Sequence, residues 1–482
     1  MSARASLIAL SFLALLTTAE DSAATKATLT LTGPGGRTLP VASLEGEERL
    51  SRLFRFIVAI PTTDAGAIPF DAFLGQAVTV SLVLPNGSTR YFNGISSRIS
   101  QGSSDRSTLY RIEVVPQLWL LTRTSSSRTF QDVSVPDILR RVLSERGISF
   151  QLNLQGTYQP RDFVLQYRET DFEFVSRLME EEGIFYFFQH GAGGHTLVIA
   201  DTPQSHPDVP GGATVGFAPD AVIDWTKTQE LRTGKHSLRD YHFTVPGDDF
   251  DVSAEILATV PVGTVIHRLQ TPLTRGLEVY DWPGEYAQRF DGLSPGTGAA
   301  ILQEGKRTVA IRSQEEAARA IAIQGKSVVP SLTAGHKFTL AGHFDANGSY
   351  VITGVSHSAR DPATGNNRAD YDNTFTCIPA ALPFRPARTT PRPVVAGPQT
   401  AVVTGPPGSE IFTDKYGRVK VQFLWDREGA HDENSSTWIR VGILHGGGSF
   451  APPRVGDEVI VGFLEGDPDQ PIILGTVPNA ER

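Results

Sequence analysis

The chain has 482 residues, of which 40% are hydrophobic, with 46 Gly, 32 Pro, one cysteine and a formal net charge of −9. That length supports two or three domains with cores of their own, and the composition fits a turn-rich β protein and excludes a disordered one. The single Cys377 excludes an intramolecular disulfide and leaves the compartment open.

The chain opens with a short basic start, Met1-Ser2-Ala3-Arg4, and the apolar run ASLIALSFLALL from Ala5 to Leu16. Small residues follow, with Thr17-Thr18-Ala19 and Ser22-Ala23-Ala24 as cleavage candidates. This is the layout of a secretory signal peptide, and the run is too short to cross a bilayer as a helix. The alternative for residues 1–24 is an N-terminal extension from a wrongly chosen start codon.

From Ala27 to about Gln117 the pattern predicts strands: ATLTLTG, LFRFIVAI, AVTVSLVL and YRIEVVP, with Pro85-Asn86-Gly87 as a hairpin turn. A helix follows, with Ser134 as N-cap, Pro136 in its first turn and Asp137 at the positive end of its dipole. Ile138, Leu139, Val142 and Leu143 form its apolar face, and Gly147 closes it. A second helix opens on a capping box, Thr170 with Glu173, buries Phe172, Val175, Leu178 and Met179, and ends at Gly183. IFYFFQHGAGGHTLVIAD then reads as a hairpin around a Gly-rich turn. A third helix is expected from a capping box of Ser313 with Glu316, ending at Gly325, and strands from Lys337 to Thr376 complete an α+β region that is mainly β.

Eight prolines between Pro379 and Pro407 mark a boundary and favour an extended, semi-rigid spacer. Beyond it, Thr404 to Gly475 holds short strands of period two. Val419, Val421, Phe423 and Trp425 alternate with Lys420, Gln422 and Leu424, and Val459, Val461 and Phe463 alternate with Ile460, Gly462 and Leu464. Asp414-Lys415-Tyr416-Gly417 and Glu465-Gly466-Asp467-Pro468-Asp469 supply turns. About five short strands in roughly 70 residues suit a small closed barrel such as the OB-fold. Many OB-folds bind single strands of nucleic acid in a basic groove. Residues 405–482 carry 12 acidic and 7 basic side chains, which argues against nucleic acid here.

The words within that barrel are more specific. FTDKYGRVKVQFLWDREG, STWIRV and PPRVGDEVIVGFLEGDPDQPIILGTVPN resemble the OB domain of VgrG proteins. These are the trimeric spikes at the tip of the type VI secretion tail, similar to the hub and spike of contractile phages. RPARTTPRPVVAGPQTAVVTGPPG resembles the segment leading into that domain. Leu50-Ser51-Arg52-Leu53-Phe54-Arg55-Phe56 resembles the start of the family's hub, and ETDFEFVSRLMEEEGIFYFF and YDWPGEY resemble its middle. The resemblance covers Ala27 to Pro478, with one departure. Leu444-His445-Gly446-Gly447-Gly448 stands where the family usually has an aromatic-Ala-Gly.

The resemblance implies a tail-hub domain over 27–380 with two barrel-like subdomains and helical insertions, a Pro-rich strap over 381–404 and an OB barrel over 405–478. Four residues remain, so neither the family's β-helix needle nor an effector domain is expected within the 482. It implies a non-enzymatic structural homotrimer, without cofactor, that caps the tail-tube ring, carries effectors and a tip protein, and meets the target membrane only by mechanical puncture. The tip protein would need the needle. Such a protein assembles in the cytoplasm and leaves through the type VI apparatus, although the signal-like segment leaves Sec export open. Two other readings are a hub of a contractile phage or phage-like particle, and an exported OB-fold ligand-binding protein.

For the barrel, the motif so implied comprises Asp414, Tyr416, Gly417, Arg418, Trp425, Asp426, Trp438, Arg454, Gly456, Glu458, Gly466, Asp467 and Pro468. Trp425, Trp438 and the FLEGDPDQP turn are expected to hold the barrel together, with Arg454, Asp457 and Glu458 shaping loops. Plain barrel folding accounts for the same residues. Elsewhere, His190 to His195 lacks the flanking carboxylates or cysteines of a metal site and reads as a hairpin tip. His236 and His242 read as surface or core histidines. Asp248, Asp249 and Asp251, and Glu180-Glu181-Glu182, read as solvated charge rather than a paired-carboxylate site. No GxSxG, HExxH or P-loop pattern occurs.

Overall fold

A computed structural model describes residues 28–62, 68–84, 86–104, 107–361, 370–443 and 451–480. The signal-like segment, Pro85 and the Leu444–Gly448 departure lie outside the described residues. The fold is mostly β with some helix, a tail-hub fold followed by an OB barrel.

One 13-stranded sheet forms the body of the hub. Its order runs Val222–Gln229, Ile321–Ser327, Asp370–Pro379, Gly348–Arg360, Ser43–Arg49, Arg55–Thr62, Ser107–Val115, Thr89–Ser104, Ala77–Val83, Thr28–Thr32 and Thr38–Pro40, with Lys337–Ala341 and Thr214–Gly216 branching from it. Alternation puts Phe56, Val58 and Ile60 on one face of their strand, all fully buried. Two separate cores lie on this sheet. One gathers Leu31, Phe56, Val80 and Phe92, and the other gathers Val222, Ile323, Phe338 and Phe375.

The first two helices form where their caps place them. Val135–Glu145 starts at Ser134, whose side chain accepts from the Asp137 N–H, and Ile138, Leu139, Val142 and Leu143 are buried. Asp171–Glu182 opens on the complete Thr170–Glu173 capping box and closes at Gly183, φ 68°. A Cβ at Gly183 would meet Ile311 Cγ2 at 2.7 Å, so left-handed backbone and tight packing both require glycine there. Phe174, which the apolar-face count missed, is fully buried, whereas Phe172 is only partly so.

The third helix differs from expectation. It runs Thr297–Ala318, so Ser313 lies deep inside it, and the Ser313 hydroxyl donates to the Glu255 carbonyl at 2.7 Å instead of capping. Gly325 sits within the strand Ile321–Ser327, where the Phe375 ring takes the space of a side chain.

The barrel also starts earlier than its sequence suggests. Its sheet runs Lys420–Phe423, Gln399–Thr404, Glu458–Phe463, Pro471–Val477 and Arg440–Val441. Gln399–Thr404, read as the end of the strap, is a central strand, because Ala401 and Val403 alternate into the core with Val421, Val459 and Val461. Val419 and Ile439 exchange both backbone hydrogen bonds, at 3.0 and 2.8 Å, and thereby join the first strand to the last.

Candidate functional site: the seam between hub, strap and barrel

The hub strand Arg161–Thr170 pairs with Ser125–Val133 and divides its side chains between two cores. Val164 packs into the hub core, whereas Phe163 and Leu165 are buried among the barrel residues Val403, Val421, Val459 and Ile473. Burying two such side chains stabilises the contact by about 1.5–3 kcal/mol each. A hub strand thus completes the barrel core.

Around this apolar contact lies a buried ionic network. Glu180, Glu181 and Glu182 are not solvated: Glu180 and Glu182 are each 4% exposed. Their helix is covered on nearly every side, Glu173 alone being exposed, so the apolar stripe does not report which face is buried. Glu180 accepts from the backbone N–H groups of Thr389 and Thr390 in the strap, both at 2.9 Å. Glu181 pairs with Arg161 at 2.7 Å. Glu182 is shared by Arg161, Arg289 and Arg307, and Glu304 returns to Arg289 at 2.6 Å and to Arg307 at 2.8 Å. Burial pushes the Glu182 carboxyl upward, and Arg289, Arg161 and Arg307 more than reverse this, holding it at about 2. Burial likewise opposes ionisation of Glu181, and Arg161, Arg392 and Arg177 hold it well below the usual carboxylate range.

The strap is tied at both ends. Arg385 donates to the carbonyls of Gly183 at 2.8 Å and Asp201 at 2.7 Å. Arg392 reaches Glu285 of the hub at 2.7 Å and, in the barrel turn, Asp469 at 2.9 Å and Asp467 at 3.4 Å. Asp469 in turn accepts from the Leu165 N–H of the hub strand at 2.6 Å. Val395 N–H donates to the Gly466 carbonyl at 2.8 Å, and a Cβ at Gly466 (φ 76°) would collide with Val394 at 2.7 Å. Burial raises the Asp467 carboxyl to about 6 despite Arg392. A Pro-rich spacer has become a clamp.

The barrel residues singled out in the sequence fall into two groups. Asp467, Pro468 and Gly466 belong to the turn at the seam, with Pro468 buried. Arg418 is buried, pairs with Asp414 at 2.7 Å and donates to the Asp291 carbonyl of the hub at 2.9 Å. Its guanidinium lies 5.2 Å from the hub ring of Phe243, and Tyr416 meets that ring edge-on at 5.3 Å. Asp414 also accepts from the N–H groups of Tyr416 and Arg418, and Gly417 closes the turn at φ 70°. Trp425 is half-buried, stacks on Phe423 at 5.0 Å, donates to Gln399 at 2.8 Å and meets Tyr167 of the hub edge-on.

The others make their contacts mostly within the barrel, although Trp438 also lines a cleft with the hub residues Tyr241 and Phe243. Trp438 packs on Phe412 at 4.9 Å. Asp426 accepts from the N–H groups of Glu428 and Gly429. Arg454 is exposed and pairs with Glu410, and its N–H donates to Asp457 at 2.8 Å. Gly456 donates to Val403, and Glu458 accepts from Asn479 at 3.2 Å.

Sequence reasoning missed the arginines, Arg161, Arg177, Arg289, Arg307 and Arg392, because they are scattered over five elements and carry no periodic signature. The only available signal was three consecutive glutamates facing an arginine-rich strap. The histidine hairpin tip forms at Gly191–Gly194, with its histidines turned inward: His190 accepts from the Asn93 N–H at 3.0 Å and His195 from the Gln117 N–H at 3.1 Å. Among the described residues no cluster of His, Cys, Asp and Glu could hold a metal ion, and no helix is long and apolar enough to cross a membrane.

A barrel-like hub that carries an OB barrel locked to it by a strap is the build of a contractile-tail hub and spike. Residues 47–363 match the family described as phage tail baseplate hub, and residues 411–477 match the type VI secretion system/phage-baseplate injector OB domain. The chain is 41% identical to the type VI secretion system spike protein VgrG1c of Pseudomonas aeruginosa over 93% of its own length and 61% of that protein. It is 39% identical to VgrG1a of the same organism, over 93% of this chain and 69% of that protein. A solved Escherichia coli component of the type VI secretion system, described as similar to two phage T4 tail proteins, aligns with TM-score 0.64 at 24% identity, covering 93% of this chain and 99% of the other. The chain belongs to the VgrG family of type VI secretion spike proteins. It spans about three fifths of the first of these relatives. It covers only 40% of another, at 35% identity and 92% of its own length, the actin cross-linking toxin VgrG1 of Vibrio cholerae.

Proposed function

We propose that this chain is the hub and OB-barrel portion of a type VI secretion spike, working as a structural homotrimer without chemistry of its own. Its three hubs cap the tail-tube ring and its three barrels aim the puncturing tip and its effectors. The boundaries we assign are a hub to about residue 380, a strap that ends before Gln399, and a barrel from there to about 478. The observation that carries this reading is the seam. A barrel whose core is completed by a hub strand and whose exit turn is salt-bridged to the strap passes an axial load on without hinging. Both ends of the hub sheet curl back on it, the Ala42 N–H donating to the Ala59 carbonyl at 2.8 Å and Phe217 bridging Val222, which suits two barrel-like subdomains.

The spike assembles in the cytoplasm and leaves through the type VI apparatus on this reading. Light scattering on a sizing column tests it: a mass three times the 52.1 kDa chain supports the spike, and a monomer at all concentrations refutes it. The match to a phage baseplate hub family favours a second reading, the hub of a phage-like particle. Neighbouring genes for a sheath and a membrane-anchoring complex support secretion, and capsid genes support the phage.

A further inference from the structure

The segment Tyr280-Asp281-Trp282-Pro283-Gly284-Glu285-Tyr286 has two halves with opposite surroundings. Its second half is fixed inside the hub. Tyr286 is fully buried, its N–H donates to Asp240 at 2.8 Å, and Glu285 holds Arg392 of the strap. Its first half continues the strand Glu278–Asp281, the last strand of a three-stranded sheet with Val252–Glu255 and Lys235–Leu238.

The helix Thr297–Ala318 packs on the other two strands of that sheet. Glu278–Asp281 overhangs it, exposed at every residue and therefore on both faces. Tyr280 is 58% exposed and Trp282 47%, and Val279 stands beside them. At one end of the sheet the Gly234 N–H donates to the carbonyl of the exposed Leu277, and the exposed leucines Leu231 and Leu273 lie within four residues of that pair along the chain. Glu278 is turned back onto Lys235 and Ser237, which leaves Asp281 as the exposed carboxylate of the edge.

We propose that this edge, Glu278 to Trp282 with its three leucines, is an interface that a second copy of the chain covers. The proposal rests on the trimeric reading above and assigns it a surface. Open edge strands that carry large apolar side chains are templates for another chain, and soluble monomers blunt them with charge, proline or a covering element. At ~200 Å² for a fully exposed residue of this size, the six apolar side chains expose on the order of 600 Å². Summed over the edge and both its faces, that compares with the ~300–600 Å² of a monomer's largest apolar patch and with the ~800 Å² per partner of a stable interface. Aromatic and leucine content matches contacts between identical subunits better than the polar surfaces of transient ones, and the exposed Asp281 would sit at the rim of such a contact. The buried half of the motif, anchored at Asp240 and Arg392, fixes where the exposed half points.

The test compares the full chain with the double variant Tyr280→Lys, Trp282→Glu by light scattering, with thermal unfolding to show that both are folded. A trimeric wild type and a folded variant of single-chain mass support the proposal. If both are trimers, this surface is the wrong one while the trimeric reading stands. If the wild type is itself a monomer, both fall. Should the double variant not fold, Leu273→Lys, at an exposed position of the one-turn helix Pro272–Arg275, reads the same change. A benzophenone amino acid placed at Tyr280 gives an independent readout: cross-links to peptides of this same chain are expected, and cross-links confined to another protein overturn the proposal.

Discussion

Arg392 and Asp469 lie 2.9 Å apart, and through that pair the strap, the barrel turn and the hub strand at Leu165 meet at one point. Arg392 is the only cation within 4 Å of Asp467, Asp469 and Glu285 among the ion pairs of the described residues. The strap therefore guides the chain and also supplies the one cation that these three carboxylates share.

Removing that cation strands the acids. Arg392→Met should cost on the order of 3–5 kcal/mol, the range for breaking a buried pair from one side, and Asp469→Asn less, because an amide oxygen still accepts from Leu165. Chemical unfolding followed by tryptophan fluorescence checks both. Equal midpoints for wild type and Arg392→Met would show that the clamp carries no stability.

Acid should loosen the hub from within. Glu48 and Glu182 are buried and, despite burial, held at about 2, Glu48 by His357 and Arg90 and Glu182 by its three arginines. Their folded values lie below the unfolded 4.5, so their stabilisation is present above about pH 4.5 and is lost as pH falls from there towards 2. Melting temperature across pH 2–7 should fall steeply below about 4.5, and a flat profile there would contradict these pairings.

Asp162 works in the opposite direction. Burial raises it to about 6, with a Thr437 hydroxyl at 2.8 Å opposing. Its folded value lies above its unfolded one, so the fold is penalised above about pH 6 and relieved as pH falls. Asp162→Asn should stabilise the protein by about 1–2 kcal/mol at pH 8 and by almost nothing at pH 4. The difference between melts at those two pH values reads this directly.

Trp425 is half-buried, with one face on Phe423, its N–H on Gln399 and its edge towards Tyr167. Trp425→Ala should cost about 2–3 kcal/mol, below the range for a fully buried tryptophan, and should loosen the barrel from the hub as well as from itself. Trp425→Phe, which keeps the stack and loses the hydrogen bond, should recover more than half. A Trp425→Ala protein with unchanged thermal unfolding would refute the assignment.

Local signals were legible where they act alone. Ser134, the Thr170–Glu173 box and the Gly183 stop placed two helices, and period two placed the strands of both hub and barrel. Ser313 with Glu316 misled because a capping box is only a spacing, and a 22-residue helix can contain it. Glu180–Glu182 misled because charge on a helix end reads as solvated unless its partners are known, and those lie on distant strands, the strap and another helix. Gln399–Thr404 was hidden by the prolines before it. Gln422 faces away from the apolar row, yet it is 1% exposed because it binds the Asp426 carbonyl inside its own turn. The seam is built from long-range pairs, which no window along the chain contains.

The account stands on hub and barrel forming one mechanical unit through the strap, and calorimetry tests that most directly. The wild-type chain should melt in one cooperative transition, and Arg392→Met should split it into an early barrel transition and a later hub one. Two separate transitions in the wild type, or a single unsplit transition in the variant at the wild-type temperature, would contradict it.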